Sequence, residues 1–190
     1  MVSGWSVWRT ARVATSVVVL IVASYYLLVG FDNITNPTNP AVSNWPFVRG
    51  VMSGEGVPPD NGIAWRFIDA TWLQACAYIM VMVLETLTGI LLLVAGVKGL
   101  RTSVNSARWR EAQVLTFAGG ALGLLLFFFG FIVIGGNWFI MYLNSEWNGM
   151  EPAFQISMLT MGMLILTTAV MIGGLLADGQ ETGNHMRGLS

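Results

Sequence analysis

Four apolar stretches, each long enough to cross a bilayer, constrain this chain more than any other feature. A spanning helix needs about 20 mainly apolar residues to traverse roughly 30 Å of hydrocarbon. The segments at about 13–30, 70–97, 114–135 and 156–177 meet that requirement. The second contains one acid, Glu85, the third carries no charge, and the fourth runs into Asp178. None shows the strict alternation of a barrel strand, so the pattern predicts helices. Only 10% of residues are charged, against roughly 25% in ordinary soluble domains. With 55% hydrophobic residues and a mean hydropathy of +0.66, the chain lacks the polar groups to cover a water-facing surface. The expected fold is an all-α membrane protein: one membrane domain over residues 1–190, built as a four-transmembrane-helix bundle.

The same composition excludes several function classes. A net charge of -1 does not fit a basic nucleic-acid binder. One cysteine, Cys76, cannot form an internal disulfide or a CxxC metal site. One histidine, His185, falls short of the several imidazoles or thiolates that hold haem, zinc or copper. No metal site and no cofactor are expected, although a cleft between spans could take a lipid or quinone. The first span follows Arg9 and Arg12 as a signal peptide would. Its length, and the sequence Tyr25-Tyr26-Leu27-Leu28-Val29-Gly30 with no small-x-small cleavage site, instead predict a retained anchor.

Cation placement sets the expected orientation. Arg9, Arg12, Lys98, Arg101, Arg108, Arg110 and Arg187 fall on one side, and only Arg49 and Arg66 on the other. Seven against two puts both termini and the short middle loop in the cytoplasm. The opposite face carries Asp32, Glu55, Asp60, Asp69, Glu146 and Glu151.

The outer loops, about 31–69 and 136–155, are too long and too aromatic for plain connectors. Loops beyond 12–15 residues are usually functional or disordered, and disordered segments are poor in aromatics. The first joins turn-rich Asn-Pro and Pro-Pro runs to Trp45-Pro46-Phe47-Val48 and Trp65-Arg66-Phe67-Ile68. The second carries Asn137, Trp138, Phe139, Tyr142, Asn144, Glu146, Trp147 and Asn148. An aromatic belt at headgroup level explains part of this pattern. The polar neighbours fit an ordered extracytoplasmic cap made from both loops, with Trp45, Trp65, Arg66, Asn137, Trp138, Glu146, Trp147 and Asn148 as its candidate members.

At these loops the chain resembles the bacterial predicted small integral membrane proteins, a family of unknown function. The resemblance rests on Phe47-Val48, Val51-Met52-Ser53, Trp65-Arg66 and Ile68 in the first loop. In the second it rests on Gly135-Gly136, Trp138-Phe139, Met141, Trp147-Asn148-Gly149 and Ala153-Phe154, and Glu85 also fits. It covers nearly the whole chain and implies a four-helix membrane fold in a bacterial inner membrane, with no activity attached. The family pattern has a histidine where this chain has Gly50, and an acid where it has Asn137. A polar or metal site built on those residues in relatives is not expected here.

Glu85 is the main candidate for chemistry. Counted from Lys98, about 13 residues or roughly 20 Å along a helix, it falls near mid-bilayer. An acid there costs a few kcal/mol and is a functional hypothesis by default. Gln74, Tyr78, Glu85, Thr88, Gly89 and Gly96 share one broad helix side that should face other helices. Glu85 is then either a proton or cation ligand, or a protonated acid bonded to Tyr78, Thr88 or a hydroxyl of another span. With no second acid or base inside any span, the bonded acid is favoured.

Span three carries Thr116, Gly119, Gly120, Gly123, Phe127 and Gly130, a small-residue stripe suited to close contact within the chain or with a partner. Span four offers Ser157, Thr160, Thr167 and Gly174 on a related stripe. Eleven methionines suit adaptable packing better than copper binding. Asn33-Ile34-Thr35 matches a glycosylation sequon, a short pattern common by chance.

No catalytic constellation is present, so an enzyme is not expected. The leading expectation is a non-catalytic subunit or assembly factor of a larger membrane complex, with an oxidoreductase or respiratory complex as a natural host. Its partners are lipids and other integral membrane subunits. The alternative is a small proton, ion or solute transporter using Glu85.

Overall fold

The computed structural model describes residues 7–39, 41, 43–58, 62–103 and 105–187, without the side chains of Ser106 and of residues from 177 on. Asp60 of the expected acidic face lies outside the described residues, as do the side chains of Asp178, His185 and Arg187. Among the described residues, four helices are long and apolar enough to span a bilayer. They are α1 (Val7–Thr35), α3 (Thr71–Arg101), α4 (Ser106–Leu124) with its continuation to Trp138, and α5 (Met150–Arg187). A short α2 (Trp45–Ser53) and two single 3₁₀ turns, Ala64–Arg66 and Met141–Leu143, lie in the two long loops. No strand occurs among the described residues, so the all-α bundle is the fold.

Each long helix overruns the stretch read from hydropathy, because its polar end residues remain helical. The first span extends past Gly30 through Asn33 to Thr35, and the second runs on to Arg101. The third starts at Ser106, where Asn105 caps it by accepting from Arg108 N–H at 3.0 Å.

Helices α1 and α3 form the most extensive interface, antiparallel and closely spaced. Gly89 and Gly96 of α3 admit Leu27 and Leu20 of α1, while Gly30 of α1 faces Thr86. A β-carbon at Gly89 would come within 2.7 Å of Leu27, and one at Gly96 within 2.6 Å of Leu20. In a bilayer, where burying apolar surface from lipid gains little, such close backbone approach is a main source of helix association. Helix α4 joins the pair where Gly119 receives Leu91 and Leu92, and α5 closes the bundle where Leu164 enters the space over Gly120.

The last part of the third span, Leu125–Trp138, departs from α geometry. It is a 14-residue π-helix, whereas π geometry usually appears as a single turn and often near functional sites. Its i→i+5 pattern ends where Phe139 N–H donates to Ile134 O at 3.1 Å. Leu126, Phe127, Gly135 and Gly136 are buried, and Phe128 and Phe129 face outward. Ile140 follows with φ 47°, a strained value for a β-branched residue, and turns the chain into the cap.

Candidate functional site

Glu85 is fully buried, and its carboxylate is held by two amides from outside its own helix. Asn33 Nδ2 donates to Oε2 at 2.6 Å, and Asn44 Nδ2 donates to Oε1 at 3.2 Å. Asn33 sits near the end of α1, and Asn44 in the residue before α2. One carboxylate therefore joins α1, α3 and the first loop. Asn33 extends the network in two directions. Its Oδ1 accepts from Asn44 N–H at 2.6 Å, and its carbonyl accepts from the Tyr78 hydroxyl at 2.7 Å. Ser43 Oγ lies 3.1 Å from the same phenol and donates to Pro37 O.

The structure corrects the expected partners of Glu85. Tyr78 reaches the site through Asn33 and does not bond the acid. Thr88 turns its methyl toward Gly123, and its buried hydroxyl has no hydrogen-bond partner among the described residues. Glu85 is midway along α3, but its partner Asn33 lies only two residues from the end of α1, where the first loop begins. Because α3 overshoots α1, the acid lies directly beneath the loop. The burial of the Asn33 side chain in this network agrees with the sequon being a chance match.

Sequence reasoning missed Asn33, Ser43 and Asn44. Two signals were available. Polar Asn33 follows the apolar span within one helical turn of Gly30. Asn44-Trp45-Pro46, with Pro46 in the first turn and Gly54 after the last, marks a short helix. Gly54 has φ 72°, and its N–H bonds back to Val51 O as a left-handed cap does.

A mixed polar and apolar cavity of about 280 Å³ adjoins this network. Asn44, Glu146 and Asn148 line its polar part, and Tyr25, Phe47 and Phe127 its apolar part. Asn44 thus has its side chain bonded to Glu85 while forming part of the cavity wall.

The candidate cap residues fall into separate contacts. Arg66 lies between the rings of Trp65 and Trp138, with its Cζ 5.2 and 5.3 Å from their centroids, and Nη1 donates to Asn137 O at 3.5 Å. Trp147 packs over Gly50, where a β-carbon would collide with the indole. Any larger side chain at Gly50 requires Trp147 to move. Asn148 Oδ1 accepts from Met150 N–H at the start of α5. Trp45 stands apart, packed edge-on against Tyr78 at 5.6 Å. Asn144, outside the candidate set, ties the loops together. Its Oδ1 accepts from Glu146 and Trp147 N–H groups, and its Nδ2 donates to Glu55 O.

The glycine stripe of span three is occupied inside the chain. Gly119, Gly120 and Gly123 face Leu92, Leu164 and Tyr26 respectively. A β-carbon at Gly130 would meet only Leu125 O of its own helix, at 3.6 Å, and the position opens onto a cleft.

With the four spans and both loops described, comparison with known proteins adds a family. Residues 11–169 match the model described as "Predicted small integral membrane protein (DUF2165)". The chain belongs to this family. That membership agrees with the four apolar helices and makes lipid contact a property of the protein. No curated protein and no solved structure matches the chain.

Proposed function

We propose that this member of the family is a non-catalytic integral membrane subunit or assembly factor, and that the Glu85 network is a structural lock within it. The observation that carries this reading is the occupation of both Glu85 oxygens by neutral amides. Neither a cation nor a second acid contacts the carboxylate among the described residues. A proton relay needs exchange partners that themselves titrate, whereas amides hold an acid in place.

The proposed setting is a bacterial inner membrane with both termini cytoplasmic, as the cation asymmetry predicts. Membrane-impermeant labelling of cysteines placed at Asn148 and at Arg108 tests the orientation. The Asn148 position should react from outside intact cells, and reaction at Arg108 instead reverses the topology. Tagged protein extracted at native abundance in mild detergent should elute with a stoichiometric membrane subunit. A monodisperse free monomer from the same membranes counts against the subunit role.

A second reading, transport through Glu85, is favoured by one feature: the mixed cavity whose wall includes Asn44, a ligand of the acid. It predicts proton or cation flux into proteoliposomes that Glu85→Gln abolishes while the fold survives. Equal flux in the variant removes this reading.

A further inference from the structure

We propose that the apolar cleft between α3 and the π-helix is a binding site for a membrane lipid with an anionic phosphate headgroup, its phosphate held by Arg66. This inference does not depend on the role assigned to Glu85.

Two independent observations meet here. The first is the cleft itself, a cavity of about 280 Å³ whose lining is almost wholly apolar. Met80 and Leu84 form one wall, Phe129 and Ile134 the other, and Val51 and Met52 of α2 roof it. Met80 and Phe129 are also exposed on the outer surface of the bundle, so the cleft opens sideways toward lipid. Gly130 widens it, because no side chain projects there. An aqueous ligand has no polar group to bond in such a space, while an acyl chain matches it.

The second observation is Arg66 at the cap end of the same cleft. Asn137, whose carbonyl it meets, follows the lining residues Ile134 and Gly135. Ile68, two residues on, donates its N–H to the carbonyl of Met52 in the roof. Among the described residues Arg66 forms no ion pair, and its buried Nε–H has no hydrogen-bond partner. A carbonyl and two indole faces leave a guanidinium with donors to spare. Trp65 and Trp138, both exposed, flank it as interfacial tryptophans do at headgroup level. Arginine's planar fork matches phosphate oxygens two at a time, and anionic headgroups are attracted to cations at this depth. The tail in the cleft and the phosphate at Arg66 together define one lipid molecule.

The test uses the full chain, extracted into detergent with equal amounts of phosphatidylglycerol and phosphatidylcholine of matched acyl chains. Retained lipid is counted by native mass spectrometry. Phosphatidylglycerol should be retained about fivefold over phosphatidylcholine, whose choline cation offsets its phosphate, the scale of one arginine facing a net anionic headgroup. Arg66→Gln should bring the ratio to near one, while Arg49→Gln, at the other outer arginine, leaves it unchanged. Gly130→Leu should fill the cleft and lower retention of both lipids, with helix content and elution volume intact. If Arg66→Gln does not fold, the wild-type protein still decides, because raised ionic strength should reduce the preference. A wild-type ratio near one, a ratio unchanged in folded Arg66→Gln, or full retention in folded Gly130→Leu overturns the proposal. Retention of a membrane quinone in place of phospholipid overturns it as well.

Discussion

The amide of Asn33 donates to Glu85 Oε2 at 2.6 Å with both side chains fully buried, so the end of α1 is tied to the middle of α3 by a polar contact. Removing either partner leaves one buried atom of the other, Glu85 Oε2 or Asn33 Nδ2, without this bond, which costs about 1–3 kcal/mol. We expect Asn33→Ala to lower the thermal midpoint of the detergent-solubilised protein. Asn33→Ala with Glu85→Ala should cost less than the sum of the two, with a coupling of about 0.5–3 kcal/mol. Simple additivity would show that the two side chains do not act as a unit.

Tyr26 occupies the space over Gly123, with its hydroxyl 3.0 Å from Thr160 Oγ1 of α5. A β-carbon at Gly123 would collide with that hydroxyl. Gly123→Val should therefore destabilise by about 1–3 kcal/mol through overpacking. Tyr26→Phe loses only one interhelical hydrogen bond, on the order of 0.6 kcal/mol in a membrane protein. Unfolding in mixed micelles should rank the glycine variant well below the phenylalanine variant, and the reverse order would contradict this packing.

Asn144 is the hinge of the cap, accepting from two N–H groups of its own loop and donating to Glu55 O of the other. Asn144→Ala should loosen the cap without melting the bundle. Hydrogen exchange should accelerate at residues 54–57 and 143–149 while protection in α1 and α3 persists. Uniform acceleration across all helices would mean that the cap and bundle unfold together.

Lys98 and Glu111 form an ion pair between α3 and α4, and both side chains are exposed. Exposed pairs contribute about 0–1 kcal/mol. Lys98→Met should shift the thermal midpoint far less than Asn33→Ala. A loss equal to that variant's would assign this pair a weight its exposure does not support.

The bundle was legible because hydropathy acts through length and composition, which need no partner to be read. The stripe on span two was legible for a related reason. Gln74, Tyr78, Glu85, Thr88, Gly89 and Gly96 fall on one side by helical spacing, and the structure buries all six. The partners of Glu85 were not legible. Asn33 and Asn44 stand 52 and 41 residues away in sequence; local signals mark one as a helix-end residue and the other as a helix start, but nothing local pairs either with Glu85. Spacing on one helix pointed to Tyr78 and Thr88 because it can relate only residues of the same helix. The π-helix was hidden too, since its apolar residues fit a spanning α-helix equally well.

Sequence by itself determined the solvent of this protein, the number of its spans and the helical faces that turn inward, because each follows from local hydrophobicity repeated at helical period. Tertiary structure decided which groups satisfy the buried acid, how the two loops join, and that Gly119, Gly120 and Gly123 are spent on packing within the chain. Those outcomes depend on which helices approach and in what register, and a hydrogen bond or a steric contact between distant segments exists only once that register is set.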